Sequence, residues 1–371
     1  MTESPPSPSR WEALDILRGL SVVGMYLNLF PGDWASRYSW LDHAKWNGVT
    51  LIDMVAPAFL FCAGAGLALS FSRRLEQGVP KTTILSRLLK RMAVLIVIGV
   101  LINGIPHFSL DHWRLPGILQ RIGLSCLLTG GLMLLLVRGR SLKPLPLAIA
   151  AFAILVVYGA LLLFVPAPGF GEPRLDQLGS WPSLVDRAVF GVDHLWDYGF
   201  DAGDQTVVYD PDGLLSTLPV CFNLLAGAVT VLLWTPLRGA LAGGAMIVAA
   251  CLLDPLLPIN KSLWTSSFAL FSTGVSLVLL TALSYLPKTR ALDPVKAFGG
   301  NPLLAFILCW SLFPWLDVWK IGEVTARSWG QDLLLPLLPA NHASFLFSLI
   351  ATALLSLPIL YCQKRGWFLR L

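Results

Sequence analysis

Charge is what this sequence has least of. Only 13% of its 371 residues are Asp, Glu, Lys or Arg, while 55% are hydrophobic; a soluble globular domain carries roughly 25% charged residues. Water is therefore not its main solvent. Cysteine is sparse too. Cys62, Cys126, Cys221, Cys251, Cys309 and Cys362 lie in or beside apolar runs with no spacing that frames disulfides, so they read as core filler. The chain has no G-x-S-x-G elbow, no P-loop and no dinucleotide fingerprint, which leaves serine-hydrolase, ATP-driven and Rossmann chemistry without support. Repeats of fixed period and an inverted pattern between halves are also missing, which counts against a secondary transporter. The net charge of +5 comes without a basic stripe interleaved with aromatics, so nucleic acid is not an expected partner.

What is present is a succession of apolar runs, each near the ~20 residues that cross a ~30 Å hydrocarbon core as a helix. They predict spans at 13–30, 51–71, 92–106, 117–137, 144–166, 213–234, 239–257, 263–286, 299–317 and 343–362. The expected fold is all-α, a polytopic transmembrane helix bundle of about ten spans. The 92–106 run is short and borrows from Ile84 to Leu89, with Arg87, Lys90 and Arg91 able to snorkel to the interface. Lys and Arg concentrate on alternate connections, which puts both termini in the cytoplasm. Residues 1–12, rich in Ser and Pro, read as a disordered cytoplasmic tail, and 13–371 as a single transmembrane domain. The run from Leu14 to Phe30 lacks a small-residue cleavage site and is expected to be retained as a span.

The connection 167–212 is long and acidic, holding Glu172, Asp176, Asp186, Asp193, Asp197, Asp201, Asp204, Asp210 and Asp212. It is expected to face outward, toward the periplasm. A connection of this length is either a functional lid with short helices of its own or a solvated tether. All five histidines, His43, His107, His112, His194 and His342, also fall on outward connections. His107 and His112 have no Cys or carboxylate at ligand spacing, so no metal is expected.

The segment from Leu41 to Gly48 packs His43, Asn47 and Trp46 into one short loop. A histidine can accept a proton near neutral pH, and either Asp42 or Asp53 could fix its tautomer; a lone loop histidine is also a common interface residue, and Trp46 a common interface anchor. Asn28 lies about 20 Å deeper than Asp15 along the first span. Its amide could donate to a developing oxyanion or make a helix–helix hydrogen bond of about 1 kcal/mol. Asp15 and Arg18 share a helical face and can pair, or Arg18 can meet the phosphates of a cytoplasmic cofactor. Gln120, Arg121 and Asp53 are polar or ionisable groups at membrane depth and so are site candidates.

These residues carry a resemblance. Leu14 to Leu20, Asn28 with Pro31 and Gly32, His43 to Gly48 followed by Asp53, Pro116 to Ile122, Tyr209 to Pro219, Pro258 to Ser267 and Gly299 to Leu303 together resemble the heparan-alpha-glucosaminide N-acetyltransferase family and its bacterial relatives. The resemblance implies a multi-span enzyme that takes an acetyl group from cytoplasmic acetyl-CoA and delivers it to an amino sugar across a bacterial inner membrane. It places His43 on the family's active-site histidine, which either accepts the acetyl group or removes a proton, and Asn28 beside it. Arg18, Arg121, Gln120 and Asn301 are the candidates for holding acetyl-CoA. Asp53, Trp46, Asn47, Asp210, Asp212, Asn260, Lys261 and Trp264 are the candidates for the sugar pocket, with the Trp264 face suited to stacking on a sugar ring. Some bacterial relatives have been proposed as inner-membrane carriers of N-acetylglucosamine, so a sugar transporter is the rival reading. Gly64, Gly66, Gly243 and Gly244 could pack helices within one chain or between copies of a homo-oligomer.

Overall fold

The computed structural model describes residues 11–369 apart from 202, 204, 205 and 288. The expected tail at 1–12 therefore lies outside the described residues except for its last two, and helix begins at Glu12. In chain order the helices are α1 (Glu12–Leu29), α2 (Val55–Glu76), α3 (Lys81–Asn103), α4 (Ile118–Leu136), α5 (Pro144–Phe164), α6 (Trp181–Phe190), α7 (Thr217–Leu233), α8 (Pro236–Leu253), α9 (Ser266–Ser284), α10 (Asp293–Gly300), α11 (Pro302–Leu312), α12 (Trp315–Val318), α13 (Ala326–Asp332) and α14 (Ala340–Lys364). A single antiparallel pair, β1 (Lys320–Ile321) with β2 (Val324–Thr325), is the sheet among the described residues. Proline opens several helices, including α5, α8 and α11, where its fixed φ suits the first turn and its missing N–H removes no intrahelical bond.

Six of these helices are long and apolar enough to cross a membrane: α2 with the 3-10 turn before it, α4, α5, α8, α9 and α14. The predicted span at 299–317 is broken. Helix 290–300 and helix 302–318 meet at 77°, and counted as one span they raise the total to seven. The break falls at Asn301–Pro302, where proline cannot continue the preceding helix. Every other predicted span also contains a helix, but three do not meet the criterion. α1 carries Glu12, Asp15 and Arg18, α3 carries Arg87, Lys90 and Arg91, and α7 has 17 residues.

The described residues form two compact units. The first unit takes in residues 11–42 and 277–369, the second residues 43–276, with the division falling inside α9. In the first, α1 lies against α10 at close quarters. A Cβ at Gly19 would stand 2.0 Å from the Val295 carbonyl oxygen, and one at Gly299 would stand 2.1 Å from that of Asp15, so only glycine allows this approach. In the second, α2 crosses α7 the same way: a Cβ at Gly64 would meet the Leu224 carbonyl oxygen at 1.9 Å. A Cβ at Gly274 of α9 would stand 2.7 Å from the Gly243 carbonyl oxygen, whereas Gly66 and Gly244 face open space. The connection 167–212 is not bare tether. It holds α6 and a 3-10 turn, Val192–His194.

Candidate active site

The site begins as a helix start. Thr50 and Asp53 form a capping box ahead of α2: the Thr50 N–H and hydroxyl both donate to Asp53 Oδ2, at 2.9 and 3.1 Å. Such a reciprocal cap satisfies N–H groups that the first helical turn leaves unbonded. The Ala44 N–H adds a third donor to the same oxygen at 3.2 Å. Oδ1 is thereby left to face the other way, and it meets His43 Nδ1 at 2.7 Å. The Asp53 side chain is 1% exposed and that of His43 is 47% exposed. A buried carboxylate thus holds the inner nitrogen of an imidazole whose outer edge reaches solvent. With the proton on Nδ1, donated to Asp53, the lone pair sits on Nε2. Asp42, the other sequence candidate for this role, accepts a hydrogen bond from Arg37 at 2.7 Å within the first unit.

Lys261 joins the pair from a distant stretch of sequence. Its Nζ lies 3.3 Å from Asp53 Oδ1, 2.9 Å from His43 Nδ1 and 3.3 Å from Nε2. Burial pushes its ammonium below the usual lysine range, with Asp53 and Asp212 working in the opposite direction. The turn that carries it is held by Asn260 and Thr265. Asn260 accepts from the Leu263 N–H at 2.8 Å and donates to Asn47 at 3.1 Å, while the Thr265 hydroxyl donates to the Pro258 carbonyl at 2.8 Å. Gly48 N–H donates to the Ile259 carbonyl at 2.8 Å, so the His43 loop and the Lys261 turn are bonded through main chain as well.

Behind these residues lies a buried ionic layer. Arg114 donates twice to Asp210, at 2.8 and 2.7 Å, and once to Asp212 at 3.1 Å. Two carboxylates raise its pKa above the ordinary arginine value against the opposing effect of burial. Arg121 of α4 donates to the Ser216 hydroxyl at 2.5 Å and lies 3.6 Å from Asp212. Its guanidinium sits over the Trp264 ring, 5.1 Å from the centroid. Trp264 is 1% exposed, and its indole N–H donates to Asn223 at 2.9 Å. Its ring therefore supports Arg121 and offers no face to a sugar, which corrects the stacking role expected from sequence. Its φ of +50° is unusual for a bulky residue, and costs on the order of 1–3 kcal/mol that the surrounding packing must offset. Asp186 of α6 completes the layer. It is fully buried, with Oδ1 accepting from the Leu214 N–H at 2.8 Å and Oδ2 lacking a hydrogen-bond partner among the described residues.

Of the residues expected at the site, the second unit gathers His43, Asn47, Asp53, Arg121, Asp210, Asp212, Asn260, Lys261 and Trp264 through these bonds and contacts, while Trp46 donates its indole N–H to the Leu175 carbonyl at 2.9 Å. Gln120 lies near them in sequence, its amide donating to the Leu115 carbonyl at 2.9 Å. Asn28, Arg18 and Asn301 belong to the first unit. Asn28 is buried on α1. Arg18 bonds to Asp15 and to the Gly299 carbonyl, and Asn301 clamps the main chain of Trp367 and Leu369 at 2.8 and 2.9 Å. Arg121 and Asn301 are thus buried and already bonded to protein, which does not suit them to hold the phosphates of acetyl-CoA. Exposed cations are found instead at Arg73 on α2 and at Arg87 and Lys90 on α3. Among the described residues no group of His, Cys, Asp and Glu side chains could hold a metal ion. Sequence reasoning did not single out Arg114, Asp186 and Asn223.

Residues 10–172 match the family model described as heparan-alpha-glucosaminide N-acetyltransferase, catalytic. Over those residues the chain is similar to this family. The human heparan-alpha-glucosaminide N-acetyltransferase (Homo sapiens) is 26% identical over 357 residues, covering 81% of this chain and 52% of the relative. The mouse protein of the same name (Mus musculus) is 25% identical over 426 residues, covering 97% and 61%. The chain therefore spans between about half and three fifths of the length of these curated relatives. The N-acetyltransferase match takes in both His43 and Asp53, while Lys261 and the ionic layer on Asp210 and Asp212 lie beyond it.

Proposed function

We propose that the chain is a multi-pass membrane N-acetyltransferase that moves an acetyl group from acetyl-CoA to the amine of an amino sugar at the periplasmic face of a bacterial inner membrane. In this reading α1, α3, α7 and the broken α10–α12 segment complete the ten crossings begun by the six long apolar helices, with charged side chains snorkelling at the ends of α3. The alternation of Lys and Arg then leaves both termini in the cytoplasm.

The observation that carries the proposal is the 2.7 Å contact between His43 Nδ1 and the buried Asp53 carboxylate. Acyl transfer to an amine needs a group that takes up a proton or the acyl group itself, and a histidine oriented by a carboxylate is suited to either task at neutral pH. Asp53 keeps the Nδ1–H tautomer, so Nε2 is the reacting atom. Lys261, 3.3 Å from Nε2, puts positive charge where acyl transfer develops a negative oxygen. Acetyl-CoA, when bound, supplies a thioester carbonyl activated for attack. Exposed Arg73, Arg87 and Lys90 are the residues that would hold its phosphates. Both curated relatives are named for acetyl transfer, which favours the enzyme over the sugar carrier.

The test is thiol release from acetyl-CoA by purified protein in nanodiscs, with and without glucosamine, beside His43→Ala. Glucosamine-dependent release that the substitution abolishes supports the proposal. Release indifferent to His43, or sugar uptake into vesicles without any acetyl-CoA, would sink it.

A further inference from the structure

A row of aromatic rings leads away from the His43 loop within the second unit. Trp46 packs edge-on against Tyr209 with centroids 5.0 Å apart, and Tyr209 meets Trp196 at 6.4 Å. Trp196 then meets Tyr198 at 5.7 Å, and Tyr198 meets Phe200 at 6.3 Å. The near end is anchored. Trp46 Nε1 donates to the Leu175 carbonyl at 2.9 Å, and the Tyr209 side chain lies beside that of Ser262, next to Lys261. The far end is open, Tyr198 being 68% exposed and Phe200 40%. The chain turns back on itself to build the row: Phe200 bridges Val207, and a Cβ at Gly199 would stand 1.9 Å from the Tyr209 carbonyl oxygen.

Exposed rings at a membrane surface ordinarily anchor in the headgroup layer, accompanied by Lys and Arg. This row is interleaved with Asp193, Asp197 and Asp201 instead. The two arginines of the connection are engaged elsewhere. Arg174 pairs with Asp176 at 2.6 Å, and Arg187 donates to the carbonyls of Val208 and Leu178 at 2.8 and 2.7 Å. Anionic headgroups are repelled by such a rim. Sugar rings lay their C–H faces on aromatic rings, and a protonated amine is attracted both by the ring quadrupole and by carboxylates.

We infer that this row is an extended acceptor subsite for the inner sugar units of a cationic glucosamine oligosaccharide whose terminal amine reaches His43. The inference rests on the acetyl-transfer reading and narrows its acceptor. A monosaccharide leaves the row unused, and a sulfated or uronate-bearing glycan meets repulsion from the acidic rim.

The experiment measures binding of β-1,4-linked glucosamine oligomers of one to four units to the full chain in nanodiscs, by calorimetry without acetyl-CoA. Transfer kinetics with the same oligomers follow. Affinity is expected to rise by about threefold to tenfold as the chain lengthens. Tyr198→Ala with Phe200→Ala, both at exposed positions, flattens that dependence, and the ratio of monomer to tetramer KM falls toward one. Length-independent binding by the wild type, unchanged length dependence in the variant, or equal affinity for a sulfated tetramer overturns the inference. Quenching of the row by brominated lipid in place of a response to sugar does the same. Because binding is read without donor, length-dependent binding with no transfer removes the acetyl-transfer reading and keeps the subsite, whereas transfer indifferent to length does the reverse.

Discussion

His43 and Asp53 stand ten residues apart in sequence and 2.7 Å apart in space, and the carboxylate that orients the imidazole is also the one that caps the start of α2. The two oxygens divide the work. Oδ2 takes the Thr50 N–H, the Thr50 hydroxyl and the Ala44 N–H, and Oδ1 faces His43 and Lys261. A carboxylate fixed by helix start and loop together cannot rotate away from the imidazole, so the geometry that the proposed proton or acyl transfer requires is built into the fold.

Asp53→Asn keeps the shape of that side chain and breaks its chemistry. An amide has one acceptor oxygen where the carboxylate has two, so it cannot serve the Thr50 donors and the Nδ1–H tautomer together. Sugar-dependent CoA release is expected to fall by about 10²- to 10⁴-fold. His43→Ala should fall as far while leaving thermal stability near that of wild type, because the imidazole is half exposed. The double variant should lose little more than either alone, since the two residues act as a unit.

Thr50→Ala tests the cap. Losing the hydroxyl should cost about 1 kcal/mol of stability, read as a lower melting midpoint. Asp53 is then less firmly held, and CoA release should drop by roughly tenfold or more. Thr50→Ser restores the hydroxyl and should recover both. A Thr50→Ala protein with lowered stability and full activity would separate the cap from the site.

Much of this was legible beforehand, and the rest was hidden for identifiable reasons. Apolar runs near ~20 residues mark the long helices, because a helix that crosses a hydrocarbon core needs that length, and Pro302 marks the break that bends the predicted 299–317 span. The choice between Asp42 and Asp53 was not made from sequence, although Thr50-Leu51-Ile52-Asp53 has the spacing of a capping box, and that signal points at Asp53. The cover over the Trp264 ring is not legible in sequence, because a tryptophan near polar residues carries no local sign of what packs on its face. Arg114 went unremarked because its partner Asp210 lies 96 residues away, and a long-range ion pair leaves no local pattern.

That pair predicts a large stability effect. The side chain of Asp210 is 0% exposed and that of Arg114 14%, and removing one partner of a buried pair leaves an uncompensated charge. Arg114→Ala is expected to cost about 3–5 kcal/mol, seen as a large drop in melting midpoint. Arg114→Lys should not recover it, because an ammonium cannot reproduce the two parallel bonds to the carboxylate. Near-wild-type melting of either variant would show that the layer contributes little to the fold.

Asp186 carries a prediction of opposite kind, because its carboxyl is destabilised by its own charge. Burial, aided by the neighbouring Asp210 carboxylate, pushes its pKa up to about 7, while the Leu214 N–H and two arginines oppose the shift. Its folded pKa thus lies above its unfolded one, near 4. The folded state holds the proton through that window, so the stability it contributes is fully present below pH ~4 and is lost as pH rises through about 7. Asp186→Asn keeps an oxygen for the Leu214 N–H and has no charge to bury. Its melting midpoint should therefore vary less between pH 5 and 8 than that of wild type and exceed the wild-type value at the upper end. Parallel pH profiles for the two proteins would show that Asp186 does not titrate in this range.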